Sequence, residues 1–157
     1  MSFETSYGTP SSMFVEHILP RARERLALIN VGASIAEAAR QMQAPETELL
    51  VAWNGQTASG VITKTDILKL VCSGAADFSA PVSAIMSPDV TACRASDLLI
   101  DVWSAMSSHR FQRVPVLNEN RRPVGVVYAR DALQALLKDA EYEDAVLRAY
   151  VQGVGYH

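Results

Sequence analysis

The chain has little sulfur chemistry to offer. Of its 157 residues only Cys72 and Cys93 are cysteines, too far apart for a CxxC metal or redox motif. They are expected to be reduced core thiols of a cytoplasmic protein. The three histidines, His17, His109 and His157, are dispersed and have no acidic or thiol partner at ligand spacing, which argues against a metal site. No apolar run approaches the roughly 20 residues of a membrane span. The polar start Met1-Ser2-Phe3-Glu4-Thr5-Ser6 lacks the basic-then-apolar pattern of an export signal. A net charge of −3, with 20% charged residues, gives no general attraction to nucleic acid or anionic lipid. No nucleophile motif or Walker-type loop is found, and Gly153-Val154-Gly155 follows a helical pattern rather than a strand, so it does not read as a phosphate loop. These absences disfavour an enzyme and predict a cytosolic protein that binds neither nucleic acid nor membrane.

What is present is apolar residue, 49% of the chain, enough for one sizeable core or two small, mutually dependent halves. The halves announce themselves by repetition. Gly60-Val61-Ile62-Thr63-Lys64-Thr65-Asp66-Ile67-Leu68 reads as a buried strand running into a helix with an acid in its first turn. The pattern returns 65 residues later as Gly125-Val126-Val127-Tyr128-Ala129-Arg130-Asp131-Ala132-Leu133. Val15-Glu16-His17-Ile18-Leu19, a short helix expected to stop at Pro20, is echoed by Val82-Ser83-Ala84-Ile85-Met86, so the duplication begins before these motifs.

Between these landmarks the two halves follow the same course. Ser34-Ile35-Ala36-Glu37 has the form of a capping box, and Ile35, Ala38, Ala39 and Met42 give one apolar helix face. In the second half Val90-Thr91-Ala92-Cys93 is expected to be a strand, with Ser96 or Asp97 capping a helix that carries Leu99, Val102, Trp103 and Met106. Leu49 to Trp53 then leads through Asn54-Gly55, a hairpin signal, to Ala58–Thr63. Val114 to Leu117 leads through residues 118–122 to Pro123–Tyr128, with Pro115 predicted at a strand start or on an edge. The fold class is therefore α+β: two tandem βαββα repeats packed through their sheets as one pseudo-symmetric module. Residues 1–12 are expected to be a mobile leader, 13–75 and 80–138 the repeats, and 139–157 a further helix and frayed tail.

The duplicated Gly-Val-Ile-Thr-x-x-Asp-Ile-Leu and Gly-Val-Val-Tyr-x-x-Asp-Ala-Leu, with Val114-Pro115-Val116 and Val82-x-x-Ile85-Met86, resemble a pair of CBS (cystathionine-beta-synthase) domains. The resemblance covers residues 13–138 with no catalytic domain attached, as in a stand-alone pair. It implies a regulatory sensor binding AMP, ADP, ATP, S-adenosylmethionine or NAD in clefts between the repeats, and so a role in energy sensing. The adenine nucleotide would be a ligand; no catalytic cofactor is expected. It implies further that Asp66 and Asp131 bond the ribose diol, that Thr63 contacts ribose or phosphate, and that Val114 and Pro115 contact adenine. Homodimerisation through the helices, and a regulated partner protein, also follow from it. The chemistry is coherent: a carboxylate accepts two hydrogen bonds from a cis-diol, and a helix start offers free N–H groups to a phosphate. Lys64 and Arg130 add a cation at each junction, and Arg113 adjoins the Val-Pro-Val strand. Tyr128 stands where the family prefers Ser or Thr, which makes the two clefts unequal.

Each of these residues also has a plainer reading. An acid in a first helical turn is ordinarily a cap or a dipole partner, and Thr63 fits an N-cap. Arg21, Arg23, Arg25, Arg110, Arg113, Arg121 and Arg122 fit a solvated face. Trp53 and Trp103 fit a core or dimer contact, and the apolar residues of Ala145–Val151 would pack on the body or a second subunit. A dimeric interaction scaffold with vestigial clefts is the alternative function.

Overall fold

A computed structural model of the chain describes residues 12–74, 77–88 and 90–155; the expected leader lies outside this range except for Ser12. The chain enters through a 3₁₀ turn, Val15–Ile18, followed by helix α1, Leu19–Arg25. Pro20 thus opens a helix where the sequence pattern predicts the end of one. In the first turn its missing N–H would have had no intrahelical partner, and its fixed φ suits the helix.

The first repeat continues with β1 (Leu28–Asn30), α2 (Ile35–Gln41), β2 (Leu49–Trp53), β3 (Ala58–Thr63) and α3 (Lys64–Cys72). Its sheet has the order β1-β2-β3, with β1 parallel and β3 antiparallel to β2. Helix α2 starts where expected: the Ser34 hydroxyl accepts the Glu37 N–H at 3.2 Å. In the hairpin loop the Asn54 side chain accepts the N–H groups of Gln56 and Thr57, and Gly55 takes the positive φ of 92°.

The second repeat has a 3₁₀ turn at Val82–Ala84, then α4 (Leu99–His109), β4 (Arg113–Leu117), β5 (Pro123–Tyr128) and α5 (Ala129–Gly155). Three expectations are corrected here. Val90 to Cys93 forms no strand; Cys93 alone pairs with β4, its N–H donating to the Pro115 carbonyl and its carbonyl accepting from Leu117, both at 2.9 Å. Helix α4 is not capped by Ser96 or Asp97. Asp97 accepts the Arg94 N–H instead, and the Leu99 N–H goes to the Met13 carbonyl at 2.8 Å. The two helices expected after β5 are one, 27 residues long, so the division at residue 139 falls inside it and Gly153 to Gly155 are helical.

Pro115 lies within β4, opposite Val126. Its carbonyl points to Cys93, and a strand residue's N–H points to the same side, so the donor that proline lacks would have faced the thinly paired edge.

The repeats match in register as well as in order. Ala52 lies opposite Gly60 and Val116 opposite Gly125, and each hairpin is irregular just beyond that pair. Both glycines answer to close approach. A Cβ on Gly60 would lie 2.6 Å from the Ser87 carbonyl oxygen, and one on Gly125 2.9 Å from the Cβ of Ala22.

Those contacts show how the halves interlock. Val15, Ile18 and Ala22, which open the first repeat, are buried with Leu99, Met106, Val116 and Ala132 of the second. Val82, which opens the second repeat, is buried with Ile29, Ile35, Leu50 and Ile62 of the first. Between the sheets Leu49, Val51 and Ala58 meet Leu117, Val126 and Tyr128 in a shared core. Neither half closes its own core alone, in keeping with the marginal stability of units of about 60 residues. Cys93 is buried, which pushes its thiol up to about 12, whereas Cys72 at the end of α3 is exposed rather than in the core.

The interlock is not symmetric. Fourteen positions separate Val15 from Ile29, but eleven separate Val82 from Cys93, the residues that pair with Ala52 and Val116 respectively. The longer lead-in accommodates α1, and no helix follows the 3₁₀ turn Val82–Ala84 before α4 among the described residues. This difference decides what reaches each cleft.

Candidate functional site

The two strand-to-helix junctions place Thr63 and Asp66 at one cleft and Tyr128 and Asp131 at the other. At the first, α3 begins directly after β3, and the Asp66 Oδ2 accepts both the Thr63 N–H at 2.8 Å and the Thr63 hydroxyl at 3.2 Å. Asp66 is therefore a cap, as its plainer reading held. Its Oδ1 has no hydrogen-bond partner among the described residues, so half the carboxylate remains available to a donor. Lys64 is exposed beside it.

Thr63 lines a cavity of about 330 Å³, together with Leu49, Val61, Ser87, Thr91, Arg110, Phe111, Gln112, Arg113 and Pro115. The volume lies at the lower end of the range for small-molecule sites, roughly 300–1,000 Å³. The walls have the mixture such a site needs. Leu49, Val61 and Pro115 are apolar, Phe111 is an exposed aromatic ring, and Arg110 and Arg113 supply cations. Val114 and Pro115, expected to share one contact, are separated by strand alternation. Pro115 lines the cavity, while the Val114 side chain is buried in the core beneath α4 and α5.

Arg110, Phe111 and Gln112 are cleft residues that no sequence motif singles out. They lie in the turn between α4 and β4, where Arg110 takes the left-handed conformation at φ 58° and the Phe111 N–H reaches back to the Met106 carbonyl at 2.9 Å. A non-glycine residue is uncommon there. The available sequence signal was the absence of glycine at the end of α4.

The second cleft is built differently. The Asp131 carboxylate is held by two donors of Arg25, Nε to Oδ2 at 2.9 Å and Nη2 to Oδ1 at 3.1 Å. Arg21 Nε lies 3.8 Å from the same carboxylate. The side chains of Arg25 and Asp131 are only 11% and 10% exposed. The hydrogen bond to Asp131 keeps the Arg25 guanidinium protonated even more firmly than usual, against the opposing effect of burial. Tyr128 is buried, its hydroxyl donating to the Glu46 carbonyl at 3.2 Å. Three guanidiniums surround its ring: Arg25 at 4.4 Å from the centroid, Arg130 at 5.3 Å and Arg113 at 5.5 Å. Glu48 gathers two of them, bonding Arg113 at 2.9 Å and approaching Arg130 at 3.8 Å. The space beside this pair is divided: about 250 Å³ is lined by Arg21, Glu24, Arg25, Leu26, Ala27, Glu46 and Thr47, and about 470 Å³ between α1 and α5 is lined by Asp131 with Arg21, Glu24, Gln134 and Lys138.

Hairpin register shows how the clefts differ in charge. Leu49 and Arg113 hold equivalent positions, opposite Thr63 and Tyr128. Counting back from these, Glu46 and Glu48 stand in the second cleft where Arg110 and Gln112 stand in the first. The first cavity is lined by Arg110 and Arg113 and, among the described residues, by no acid, with the half-free Asp66 carboxylate next to its Thr63 wall. The second is lined by Glu24 and Glu46 together with Arg21 and Arg25, beside a carboxylate already paired.

A duplicated hairpin-to-helix unit, interlocked through exchanged lead-ins and enclosing two clefts, is a recognisable arrangement, and the CBS domain family model matches it twice, at residues 15–73 and 82–138. The chain belongs to the CBS-domain family. A relative in Acidianus ambivalens, an uncharacterized 17.7 kDa protein, is 29% identical over 117 residues, spanning 74% of this chain and 70% of that one. Among solved structures, a CBS-domain-containing protein from Agrobacterium tumefaciens is 27% identical with a TM-score of 0.68, covering 78% of this chain and 98% of its own. Two more distant CBS structures share the fold and were solved with ligands. One, a complex with AMP, is 20% identical with a TM-score of 0.69, covering 80% of this chain and 96% of its own. The other, a CBS-domain pair with 5′-methylthioadenosine and S-adenosyl-L-methionine, is 23% identical with a TM-score of 0.66, covering 80% and 99%. Related CBS pairs thus bind adenosyl compounds. In this CBS pair no helix among the described residues is long and apolar enough to cross a membrane, and no cluster of metal-ligating side chains is found among them.

Proposed function

We propose that this CBS pair is a cytoplasmic, non-catalytic regulatory module whose first cleft binds an adenine nucleotide and whose occupancy is read by a partner protein. The observation that carries the reading is the first cleft itself: a cavity of about 330 Å³ with Thr63, Pro115, Phe111, Arg110 and Arg113 on its walls and the Asp66 carboxylate tied to Thr63. Asp66 Oδ1 would accept from the ribose, Pro115 and Phe111 would flank the base, and Arg110 and Arg113, with exposed Lys64, would face phosphate. In this reading Val114 supports the base-contacting strand from behind. The same cations favour AMP, ADP or ATP over S-adenosylmethionine, whose sulfonium is positive. Arg113 is bonded to Glu48 at 2.9 Å, so phosphate competing for it would loosen a contact between the repeats. That gives a ligand the differential affinity for two arrangements that signalling requires.

Thermal melting tests the reading. AMP at 100 times its dissociation constant should stabilise the fold by about 2.7 kcal/mol, and adenosine at the same concentration should stabilise it less. No shift with AMP, ADP, ATP, NADH or S-adenosylmethionine would leave the interaction-scaffold alternative, which the filled second cleft favours.

A homodimer belongs to the same proposal. Leu68 and Val71 on α3 and Leu133 and Leu137 on α5 are 61%, 51%, 40% and 54% exposed, and a second copy would cover them. Sedimentation at micromolar concentration should give twice the 17.1 kDa chain mass; a monomer mass would count against it.

A further inference from the structure

We propose that the second cleft is closed from within by Arg25, so that the protein takes one nucleotide per chain, in the first cleft only. This rests on the nucleotide reading above and fixes its stoichiometry. A ribose diol offers a carboxylate two neutral hydroxyl donors. Arg25 already offers Asp131 two charged donors in the planar geometry that matches both oxygens, at 2.9 and 3.1 Å. A ribose entering there would have to expel the guanidinium and leave a largely buried cation beside Tyr128 without its counter-charge, a costly exchange. Tyr128 reinforces the closure by filling the position that Thr63 holds in the first cleft and stacking beneath Arg25 at 4.4 Å.

The closing arm has a defined origin. Helix α1, formed by the longer lead-in of the first repeat, ends at Arg25 and carries Arg21 one turn earlier toward the same acid. No cation approaches Asp66 in this way, since its hydrogen-bond partner among the described residues is Thr63. One internal ion pair thus converts a doubled scaffold into a single-site receptor.

Isothermal titration of the full chain with AMP decides the matter. Wild type should bind one equivalent, and Asp131→Asn should still bind one with affinity changed less than about twofold. Arg25→Ala, if folded by circular dichroism, should gain a second and weaker equivalent, and Arg25→Lys should not. Two equivalents in wild type would overturn the closure while leaving the nucleotide reading intact. Loss of the single equivalent in an Asp131→Asn that stays folded by circular dichroism would overturn it as well, and so would a folded Arg25→Ala that binds only one. Should Arg25→Ala fail to fold, the wild-type stoichiometry and the Asp131→Asn titration together decide whether the closure stands. Absence of AMP binding by wild type would overturn the nucleotide reading, and this closure with it.

Discussion

Replacing Tyr128 with alanine is expected to lower the unfolding free energy by about 3–5 kcal/mol, the range for large aromatic truncations in cores. Tyr128 is 2% exposed and lies where the sheets of the two repeats meet, packed with Leu49, Val51, Leu117 and Val126. Its removal leaves a cavity between halves that do not close their cores separately. Around that cavity Arg25, Arg113 and Arg130 would lose an aromatic face. Against a typical domain stability of about 5–15 kcal/mol, such a loss brings the protein near unfolding. Tyr128→Phe isolates the hydroxyl, whose single hydrogen bond to Glu46 is worth about 1 kcal/mol. Urea denaturation of both variants measures the difference. A Tyr128→Ala cost below about 1 kcal/mol would mean that the interface repacks around the gap, contrary to a core shared between the sheets.

The largest effect on binding is expected from Asp66→Ala. The substitution removes the acceptor proposed for the ribose, and charge-assisted hydrogen bonds contribute about 1.5–3 kcal/mol each. AMP affinity should therefore fall by about 10- to 150-fold, the equivalent of about 1.5–3 kcal/mol. The same change removes the partner of the Thr63 N–H and should cost about 0.5–2 kcal/mol of stability as a lost cap. The two effects separate in a titration run well below the melting temperature, where the variant stays folded. Unchanged AMP affinity with reduced stability would make Asp66 a cap and nothing more.

The duplication was legible because it is written in local signals: a glycine and an acid at fixed spacing, a repeated Val-x-x-Ile lead-in and an apolar pattern between them. The reason for the glycines was not legible. Gly60 and Gly125 are pressed by Ser87 and Ala22, residues brought to them from the lead-in of the other repeat. The cleft residues divide in the same way. Asp66 and Asp131 look alike in sequence because their local contexts match, and only the fold shows that one caps its own helix while the other is claimed by Arg25 across 106 residues. Arg25 resembles any of several solvated arginines, since nothing near it in sequence names its partner. Tyr128 in place of Thr63 and Arg130 in place of Thr65 were the local clues to asymmetry, and the structure extends them to Glu46, Glu48, Arg110 and Arg113. The missing second-repeat strand was not legible for a different reason. Val90-Thr91-Ala92-Cys93 has strand propensity, but only Cys93 comes into register with β4, so propensity went unused.

Adenine nucleotide is proposed to occupy the cleft at Thr63 and Asp66 and to be shut out of the cleft at Tyr128 and Asp131. A crystal structure of the full chain grown with AMP tests both halves of that claim most directly. The expected result is density for AMP in the first cleft, with a ribose hydroxyl on Asp66 and phosphate facing Arg110 and Arg113, while Arg25 stays paired with Asp131. Nucleotide seated on Asp131 with Arg25 swung away, or density in neither cleft at saturating AMP, would contradict it.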